Sequence, residues 1–135
     1  MSIDRQLETA LRIATEKHEG QVDKQGVPYI EHPKRVAASL EDPGLKIVAL
    51  LHDTLEDTDC SREELLENGI SADYVEMVWA MTHSKEEPYL DYIRRLKDEA
   101  PHVVPVKLAD IRDNLRPGCP PSLQERYLSA LAILE

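Results

Sequence analysis

The sequence contains no phenylalanine and few other aromatic residues, only one tryptophan and five tyrosines. Its two cysteines, Cys60 and Cys119, form no CxxC pair, so neither a disulfide framework nor a thiolate metal site is expected. Basic residues are scarce as well: 16 Lys and Arg stand against 26 Asp and Glu, for a formal net charge of −10. This excess of negative charge excludes the broad basic surface that binds a nucleic-acid polymer. An anionic ligand must therefore be met by positive charges placed locally.

Long apolar runs are also missing. The N-terminal residues lack the apolar core of a signal peptide, and aliphatic runs such as Ile47 to Leu51 are far shorter than a membrane span. Together with cysteines that fit a reducing compartment, these absences predict a cytoplasmic protein without a membrane partner. The length of 135 residues predicts a single domain over residues 1–135.

Apolar residues recur at helical spacing through most of the chain. Ile3, Leu7, Leu11, Ala14 and His18 follow one another by four, four, three and four, which predicts a helix that ends at Gly20 and carries His18 on its buried side. Further helices are predicted at Pro33 to Leu40, Leu45 to His52, Ser61 to Asn68, Ser71 to Met81, Pro88 to Glu99, Pro105 to Leu115, and from a capping box at Ser122. Because no segment has a clear strand pattern, we predict an all-α fold of roughly seven or eight helices.

Separate helices bring polar residues to faces that the apolar spacing predicts to be buried. They are His18, the neighbouring pair His52 and Asp53, and Asp110. A buried carboxylate without a partner costs several kcal/mol, so two of them on core faces call for a compensating cation. Two imidazoles with two carboxylates suit Mn²⁺ or Fe²⁺, with Mg²⁺ and Zn²⁺ as alternatives. The pattern therefore predicts one divalent metal ion as cofactor.

One helical turn beyond the histidine–aspartate pair lies a second acidic pair, Glu56 and Asp57. Carboxylates next to a metal site can orient or deprotonate an attacking water molecule. A solvated helix end is the alternative interpretation of the same residues. Tyr29 and His32 lie in a loop before Pro33, and we expect both to be structural: Tyr29 packs the loop on the core and His32 bonds to the backbone near a helix start.

Four motifs occur in a fixed order along the chain. They are Ala14-x-x-x-His18-x-Gly20-Gln21, Gly26-x-Pro28-Tyr29-Ile30-x-His32-Pro33, Leu50-Leu51-His52-Asp53-x-x-Glu56-Asp57-Thr58 and Val106-Lys107-Leu108-Ala109-Asp110-x-x-x-Asn114-Leu115. Together they resemble the HD-domain metal-dependent phosphohydrolases and, more narrowly, the hydrolase domain of RelA/SpoT-type alarmone enzymes and their small free-standing relatives.

The resemblance implies a compact HD-domain helical bundle with one metal ion, usually Mn²⁺ in the family. The metal ligands that it implies are His18, His52, Asp53 and Asp110. Glu56 and Asp57 match the acidic pair that handles the attacking water. The implied substrate is a small phosphorylated nucleotide, and removal of the 3′-pyrophosphate from guanosine 3′,5′-bis(diphosphate) is the first candidate reaction. The candidate substrate-binding residues are Lys24, Lys107, Arg112, Asn114 and Arg116. For Lys107, Arg112 and Arg116, the alternative is an ordinary position on a helix surface.

Two positions depart from the alarmone-hydrolase pattern. Asp23 stands where the family has the first residue of a basic pair that is thought to stack on guanine, and an acidic residue would repel a polyphosphate. Pro117 replaces a threonine and removes a backbone donor. A nucleotide monophosphatase or NADPH 2′-phosphatase with the same metal centre is therefore one alternative, and a non-catalytic module that binds metal or nucleotide is another. The sequence leaves the oligomeric state open, a homo-oligomer included.

Overall fold

The computed structural model describes residues 1–135, which are helical almost throughout. The elements are α1 Ile3–Lys17, α2 Glu31–Ala38, α3 Pro43–Leu51, α4 Thr54–Asp57, α5 Arg62–Glu67, α6 Ala72–Met81, α7 Tyr89–Glu99, a 3₁₀ turn Pro101–Val103, α8 Val104–Asn114 and α9 Pro121–Leu134. Helix α4 is a single turn, and the other eight helices agree with the number predicted. One isolated bridge between Val22 and Pro28 is the only β feature. The all-α prediction is confirmed, and none of the helices combines the length and apolarity needed to cross a bilayer.

Helix α3 lies at the centre of the fold, where it packs against α1, α2, α6 and α8. Its residues Ile47, Val48, Ala49 and Leu51 are fully buried. A helix that is apolar on all sides is stable only when other helices surround it, and this explains its central position. The first turn is held by Asp42, whose carboxylate accepts a hydrogen bond from the backbone amide of Gly44 at 2.7 Å.

Helix α3 ends immediately before the histidine–aspartate pair. The ring of His52 turns back and its Nδ1 donates to the carbonyl of Ala49 at 2.5 Å, while the hydroxyl of Thr54 donates to the carbonyl of Leu51 at 2.7 Å. These side chains satisfy carbonyl groups that have no partner inside the helix. His52 and Asp53 therefore lie in the turn between α3 and α4, and not inside one continuous helix.

Two other helix starts differ from the sequence prediction. Helix α2 begins at Glu31 rather than at Pro33, so His32 lies in its first turn, where it shares a face with the buried Val36. Helix α9 begins at Pro121, and no side chain caps it. The capping box predicted at Ser122 does not form, because Ser122 lies inside the helix and the N-cap residue is Pro120, whose side chain has no acceptor.

The segment between α1 and α2 is a tight hairpin-like loop. The carboxylate of Asp23 accepts hydrogen bonds from the amides of Gln25 at 2.8 Å and Val27 at 3.0 Å. Gly26 has a φ of +82°, a backbone conformation that glycine adopts without strain. The amide of Tyr29 then donates to the carbonyl of Gln21 at 2.8 Å. The loop is thus closed on itself, and it holds Tyr29 against the centre of the molecule.

Candidate metal centre

Helices α2, α3 and α8 bring four polar side chains together inside the bundle. His32 lies in the first turn of α2, His52 and Asp53 follow α3, and Asp110 lies in α8. Their side chains are 8%, 2%, 17% and 6% exposed, respectively. Such low exposure leaves these groups largely without water, so they must satisfy one another or hold an ion.

The distances within the cluster are short enough for one ion. Nε2 of His32 lies 2.8 Å from Oδ1 of Asp110. Nε2 of His52 lies 3.3 Å from the same oxygen and 3.1 Å from Oδ2 of Asp53. The nearest ligand atoms of His32, His52 and Asp53 all lie within 4.8 Å of one another. These three side chains could therefore hold a single metal ion, with Asp110 beside it.

The outer nitrogen of each imidazole is already engaged. Nδ1 of His52 donates to the carbonyl of Ala49, and Nδ1 of His32 donates to Oδ2 of Asp113 at 2.6 Å. In a neutral ring the inner nitrogen, Nε2, then carries only a lone pair. Both lone pairs face carboxylate oxygens, which are also acceptors, so the arrangement requires positive charge between them. A divalent cation fits this donor set, and protons fill the need when the cation is absent.

The pKa values within the cluster express the same need for positive charge. Burial disfavours a charged His52, yet the negative charges of Asp53 and Asp110 outweigh it and raise the His52 pKa well above its usual value. Burial also disfavours an ionised Asp110, but the charges of Lys107 and His52 lower the Asp110 pKa well below its usual range. The carboxylates therefore remain ionised and attract a cation.

Two further residues of α8 also contact the carboxylate of Asp110. Nζ of Lys107 lies 2.8 Å from Oδ2 of Asp110, and Nδ2 of Asn114 donates to Oδ1 at 3.3 Å. The Lys107 side chain is only 11% exposed and its charge lies 5.1 Å from the ring centre of Tyr92. Lys107 is therefore no ordinary cation of a helix surface, because it neutralises a buried carboxylate.

Tyr29 contributes more than the packing expected of it. Its hydroxyl donates a short hydrogen bond to Oδ2 of Asp53. Burial raises the Tyr29 pKa, and the neighbouring Asp53 charge adds to this effect, so the phenol remains a neutral donor. Tyr29 orients one carboxylate oxygen, and the loop between α1 and α2 is thereby tied to the cluster.

The structure does not bring His18 to the cluster. Its Nδ1 lies 2.9 Å from Oε1 of Gln21, its ring packs against Tyr29 with centroids 4.9 Å apart, and its Nε2 is buried without a partner. His32, which the sequence interpretation treats as structural, lies in the cluster instead, with its Nε2 in contact with Asp110. Both ring nitrogens of His32 contact carboxylate side chains, those of Asp110 and Asp113, instead of the backbone.

The acidic pair lies on the short helix α4. The carboxylate of Glu56 lines the same cavity as His52 and Asp53 and accepts a hydrogen bond from the amide of His83 at 2.7 Å. Asp57 is accessible to solvent, but partial desolvation, together with the charges of Asp53 and Glu56, raises its pKa to about 6. A carboxylate with a raised pKa near a cation site is suited to accept a proton from water.

Two adjoining cavities open onto the cluster. One, of about 260 Å³, is lined by His52, Asp53, Glu56, Tyr89 and Arg126, among others. The second, of about 330 Å³, is lined by Asp23, Lys24, Arg35, Arg116 and Pro117, among others. Both cavities are bordered by Tyr29, His32, Asn114 and Tyr127. Their combined shape offers one compartment at the cluster and a second compartment for the rest of a ligand.

The predicted substrate-binding residues separate into two groups. Lys24, Arg116, Lys107 and Asn114 line one or both cavities. Arg112 lines neither cavity, and its guanidinium pairs with Glu135 at 3.0 Å on the surface. It follows Asp110 by two residues and so lies on nearly the opposite face of α8, which means that closeness in sequence does not bring it to the site.

Several residues of the site are absent from the sequence prediction. Arg126 of α9 lines the cavity beside the cluster and its guanidinium lies 4.9 Å from the ring centre of Tyr89. The hydroxyl of Tyr89 is buried without a hydrogen-bond partner. No spacing signal points to Arg126, because α9 is distant in sequence from the motifs, whereas the spacing of Tyr89 and Tyr92 on one helix is typical of core or pocket lining. For His32 a signal exists: it lies four residues before the apolar Val36 at the start of a helix.

Comparison with known proteins identifies the family of this chain. Residues 10–117 match the family described as HD domain. The guanosine-3′,5′-bis(diphosphate) 3′-pyrophosphohydrolase MESH1 of Danio rerio is 41% identical over 122 residues, which cover 82% of this chain and 67% of that protein. A guanosine-3′,5′-bis(diphosphate) 3′-pyrophosphohydrolase of Aquifex aeolicus (strain VF5) is 37% identical over 122 residues, which cover 82% of this chain and 17% of that protein.

A solved structure shows the same fold. It is that of a metazoan ortholog of SpoT that hydrolyzes ppGpp, and it covers 96% of this chain and 83% of its own with a TM-score of 0.78 and 28% sequence identity. The family match spans most of the chain, and the relative from Danio rerio is similar over two thirds of its own length. This chain therefore belongs to the HD domain family of metal-dependent phosphohydrolases.

Proposed function

We propose that this protein removes the 3′-pyrophosphate from guanosine 3′,5′-bis(diphosphate) with one divalent cation, Mn²⁺ in the first place, bound by His32, His52, Asp53 and Asp110. The observation that carries the metal site is that the Nε2 lone pairs of two neutral imidazoles converge on carboxylate oxygens, with no proton between the nitrogens and these oxygens. The substrate class is supported by the relatives from Danio rerio and Aquifex aeolicus, which carry this activity in their names.

The reaction adds water to the phosphorus that carries the 3′ oxygen. The bond between this phosphorus and the 3′ oxygen breaks. It leaves a nucleoside 5′-diphosphate and pyrophosphate, and the proton lost by water balances the one gained by the 3′ oxygen. When bound, a divalent cation supplies a Lewis acid that acidifies water and offsets charge developing on a phosphoryl oxygen. Glu56, which faces the cavity, orients the water, and Asp57 accepts its proton.

Positive charge for the phosphates comes from a few cations around the cavities. Arg126 is exposed and lies beside Tyr89 at the cluster cavity, so its guanidinium is available for the pyrophosphate group. Arg116 and Lys24 line the second cavity, where they can meet the 5′-diphosphate. Asn114 borders both cavities and can hold the ribose between them. A strongly acidic chain thus meets an anion only at these local points.

A second candidate function rests on Asp23. Two backbone amides bind its carboxylate, and the bond from Val27 in particular lowers the Asp23 pKa, so an ionised acid lines the second cavity. A negative charge there disfavours a 5′-diphosphate and favours a ligand with less charge in that compartment. The 2′-phosphate of NADPH, or a nucleotide monophosphate, hydrolysed at the same metal centre, is the corresponding substrate.

Turnover on a nucleotide panel tests the proposal. Purified protein with Mn²⁺ is expected to release pyrophosphate from guanosine 3′,5′-bis(diphosphate), faster than it releases phosphate from NADPH or nucleotide monophosphates, and a chelator is expected to stop the reaction. Asp53→Ala is expected to lose both Mn²⁺ binding and turnover. Glu56→Gln is expected to retain Mn²⁺ and to lower kcat by about 10²–10⁴-fold, the usual range for general acid–base catalysis.

Each other result of the panel favours a different function. Faster release of phosphate from NADPH would replace the proposed substrate by the second candidate. Tight Mn²⁺ binding without turnover on any member would identify a non-catalytic binding module. Turnover that persists in the chelator would overturn the metal-dependent mechanism altogether.

The raised pKa of Asp57 predicts the acid side of the pH profile. Because the pKa is about 6, Asp57 loses its charge as the pH falls through that value, and a protonated carboxylic acid cannot accept the proton of water. Bound Mn²⁺ offsets the charge of Asp53 and therefore lowers the Asp57 pKa from this metal-free value. We expect kcat/KM, measured with saturating Mn²⁺, to decline about tenfold for each pH unit below the lowered pKa and to level off above it. An acid limb that Asp57→Asn leaves unchanged would exclude Asp57 as the base.

A further inference from the structure

Helices α2 and α8 are joined by two rows of polar contacts, only one of which includes the proposed metal ligands. The first row is the contact between His32 and Asp110. The second row lies one turn further along both helices, since Arg35 follows His32 by three residues and Asp113 follows Asp110 by three. The mechanism described above uses only the bond from His32 to Asp113 and gives no role to Arg35.

Asp113 lies at the centre of that second row. Its Oδ2 accepts the hydrogen bond from Nδ1 of His32 at 2.6 Å. Nε of Arg35 lies 2.8 Å from Oδ1, and Nη2 lies 3.0 Å from Oδ2. The two parallel contacts form a fork on the carboxylate, the geometry in which arginine holds a carboxylate most firmly. The Asp113 side chain is 14% exposed, so solvent competes little for these bonds.

The two histidines of the cluster are therefore fixed by different groups. His52 donates its outer proton to a neutral backbone carbonyl, whereas His32 donates to a charged carboxylate. A carboxylate behind an imidazole selects the tautomer with hydrogen on Nδ1 and raises the electron-donating power of Nε2. No side chain caps the first turn of α2, where His32 lies, so the outer nitrogen of His32 is held by Asp113 and not by a group of its own helix.

We propose that Asp113, held by Arg35, is a positioning residue that orients His32 and fixes its tautomer, so that Nε2 is presented to the divalent cation. This inference rests on the proposed function for the metal itself. It assigns roles to two residues that are not among the four proposed ligands. The alternative is that Arg35 and Asp113 form an ion pair that only joins the two helices.

Metal affinity and the state of the His32 ring separate these two roles. Titration calorimetry of the metal-free protein with Mn²⁺ is expected to show about 10–100-fold weaker binding in Asp113→Ala, the usual effect of losing such a support. Nitrogen NMR of the metal-free protein, at a pH where the imidazoles are neutral, is expected to show a mixture of His32 tautomers in that variant and one tautomer in the wild type.

Two further variants keep the test decisive. Asp113→Asn retains size and an accepting oxygen, so it should keep the tautomer and still weaken Mn²⁺ binding; it also serves if Asp113→Ala does not fold. Glu87→Ala is the matched control, because Arg95 forms a similar fork on Glu87 at 3.0 and 3.2 Å away from the cavities. It should lower the melting temperature and leave Mn²⁺ affinity unchanged.

Unchanged Mn²⁺ affinity and an unchanged tautomer in both Asp113 variants would overturn the inference and leave a structural ion pair. The Mn²⁺ affinity and the His32 tautomer are both measured without substrate, so these results do not depend on which substrate the protein hydrolyses. If the proposed function fails, turnover is absent while the wild type and the Asp113 variants still differ in affinity. If only the inference fails, wild-type turnover is present and the affinities are equal.

Discussion

Replacing Asp110 by alanine is expected to abolish metal-dependent hydrolysis and to lower the free energy of unfolding by about 3–5 kcal/mol, the cost of breaking a buried ion pair. Both effects have one cause. Oδ1 of Asp110 faces Nε2 of His32 and of His52, while Oδ2 pairs with Nζ of Lys107 at 2.8 Å. The variant therefore removes a proposed metal ligand and leaves a buried ammonium group without its counter-charge. Chemical denaturation of the metal-free protein and Mn²⁺ titration measure the two losses separately.

A second substitution distinguishes these two losses. In the double variant Lys107→Met/Asp110→Ala the unpaired charge is gone, and an apolar side chain of similar length fills its place beside Tyr92. We expect the double variant to recover most of the lost stability and none of the Mn²⁺ binding. Recovery of Mn²⁺ binding would show that Asp110 acts only through the fold. Equal stability of wild type and Asp110→Ala would contradict the buried pair itself.

The sequence predicts the part of the site that lies on regular helices. Apolar spacing places His52 next to the core, and the observed end of α3 keeps it there. It places Asp110 on the buried side of a helix, where α8 has it, with Lys107 and Asn114 three and four residues away in contact with it. Local periodicity is sufficient in these cases because the side chains that meet are three or four residues apart on one element.

The choice between the two histidines needed information that periodicity does not contain. His18 and His32 are both buried and both adjoin apolar residues. Which of them meets His52 depends on the path of residues 18–30, a loop whose closure is set by the bonds of Asp23 and by Gly26. A loop of this kind has no repeating pattern, so the spacing of apolar residues does not indicate which histidine meets His52.

The residues that surround a ligand are the hardest to predict from sequence. Arg126 meets Tyr89 only because α9 packs across α7 and α8, a contact between segments far apart in the chain. Arg112 shows the opposite case, since it is close to Asp110 in sequence and yet pairs with Glu135 on the surface. Charge and proximity in sequence therefore indicate which residues are available, whereas helix packing decides which of them face the cavity.

The same substitution at the two histidines is expected to have opposite results. His32→Gln should lower Mn²⁺ affinity at least about 100-fold, beyond the range caused by changes behind a ligand, and should abolish hydrolysis. The reason is that Nε2 of His32 lies within the cluster, 2.8 Å from Asp110, whereas glutamine cannot present a nitrogen lone pair there. His18→Gln should retain Mn²⁺ and most of the turnover, because Nδ1 of His18 bonds to Gln21 and its ring only packs against Tyr29.

The melting temperatures of the two variants complete this comparison. His18 is 2% exposed and lies at the end of α1, so its replacement disturbs packing and is expected to lower the melting temperature. His32→Gln removes charge-assisted bonds to Asp110 and Asp113, and it should be destabilised as well. Stability therefore cannot distinguish the two histidines, but metal stoichiometry can. Loss of Mn²⁺ in His18→Gln, with retention in His32→Gln, would reverse the assignment and return His18 to the ligand set.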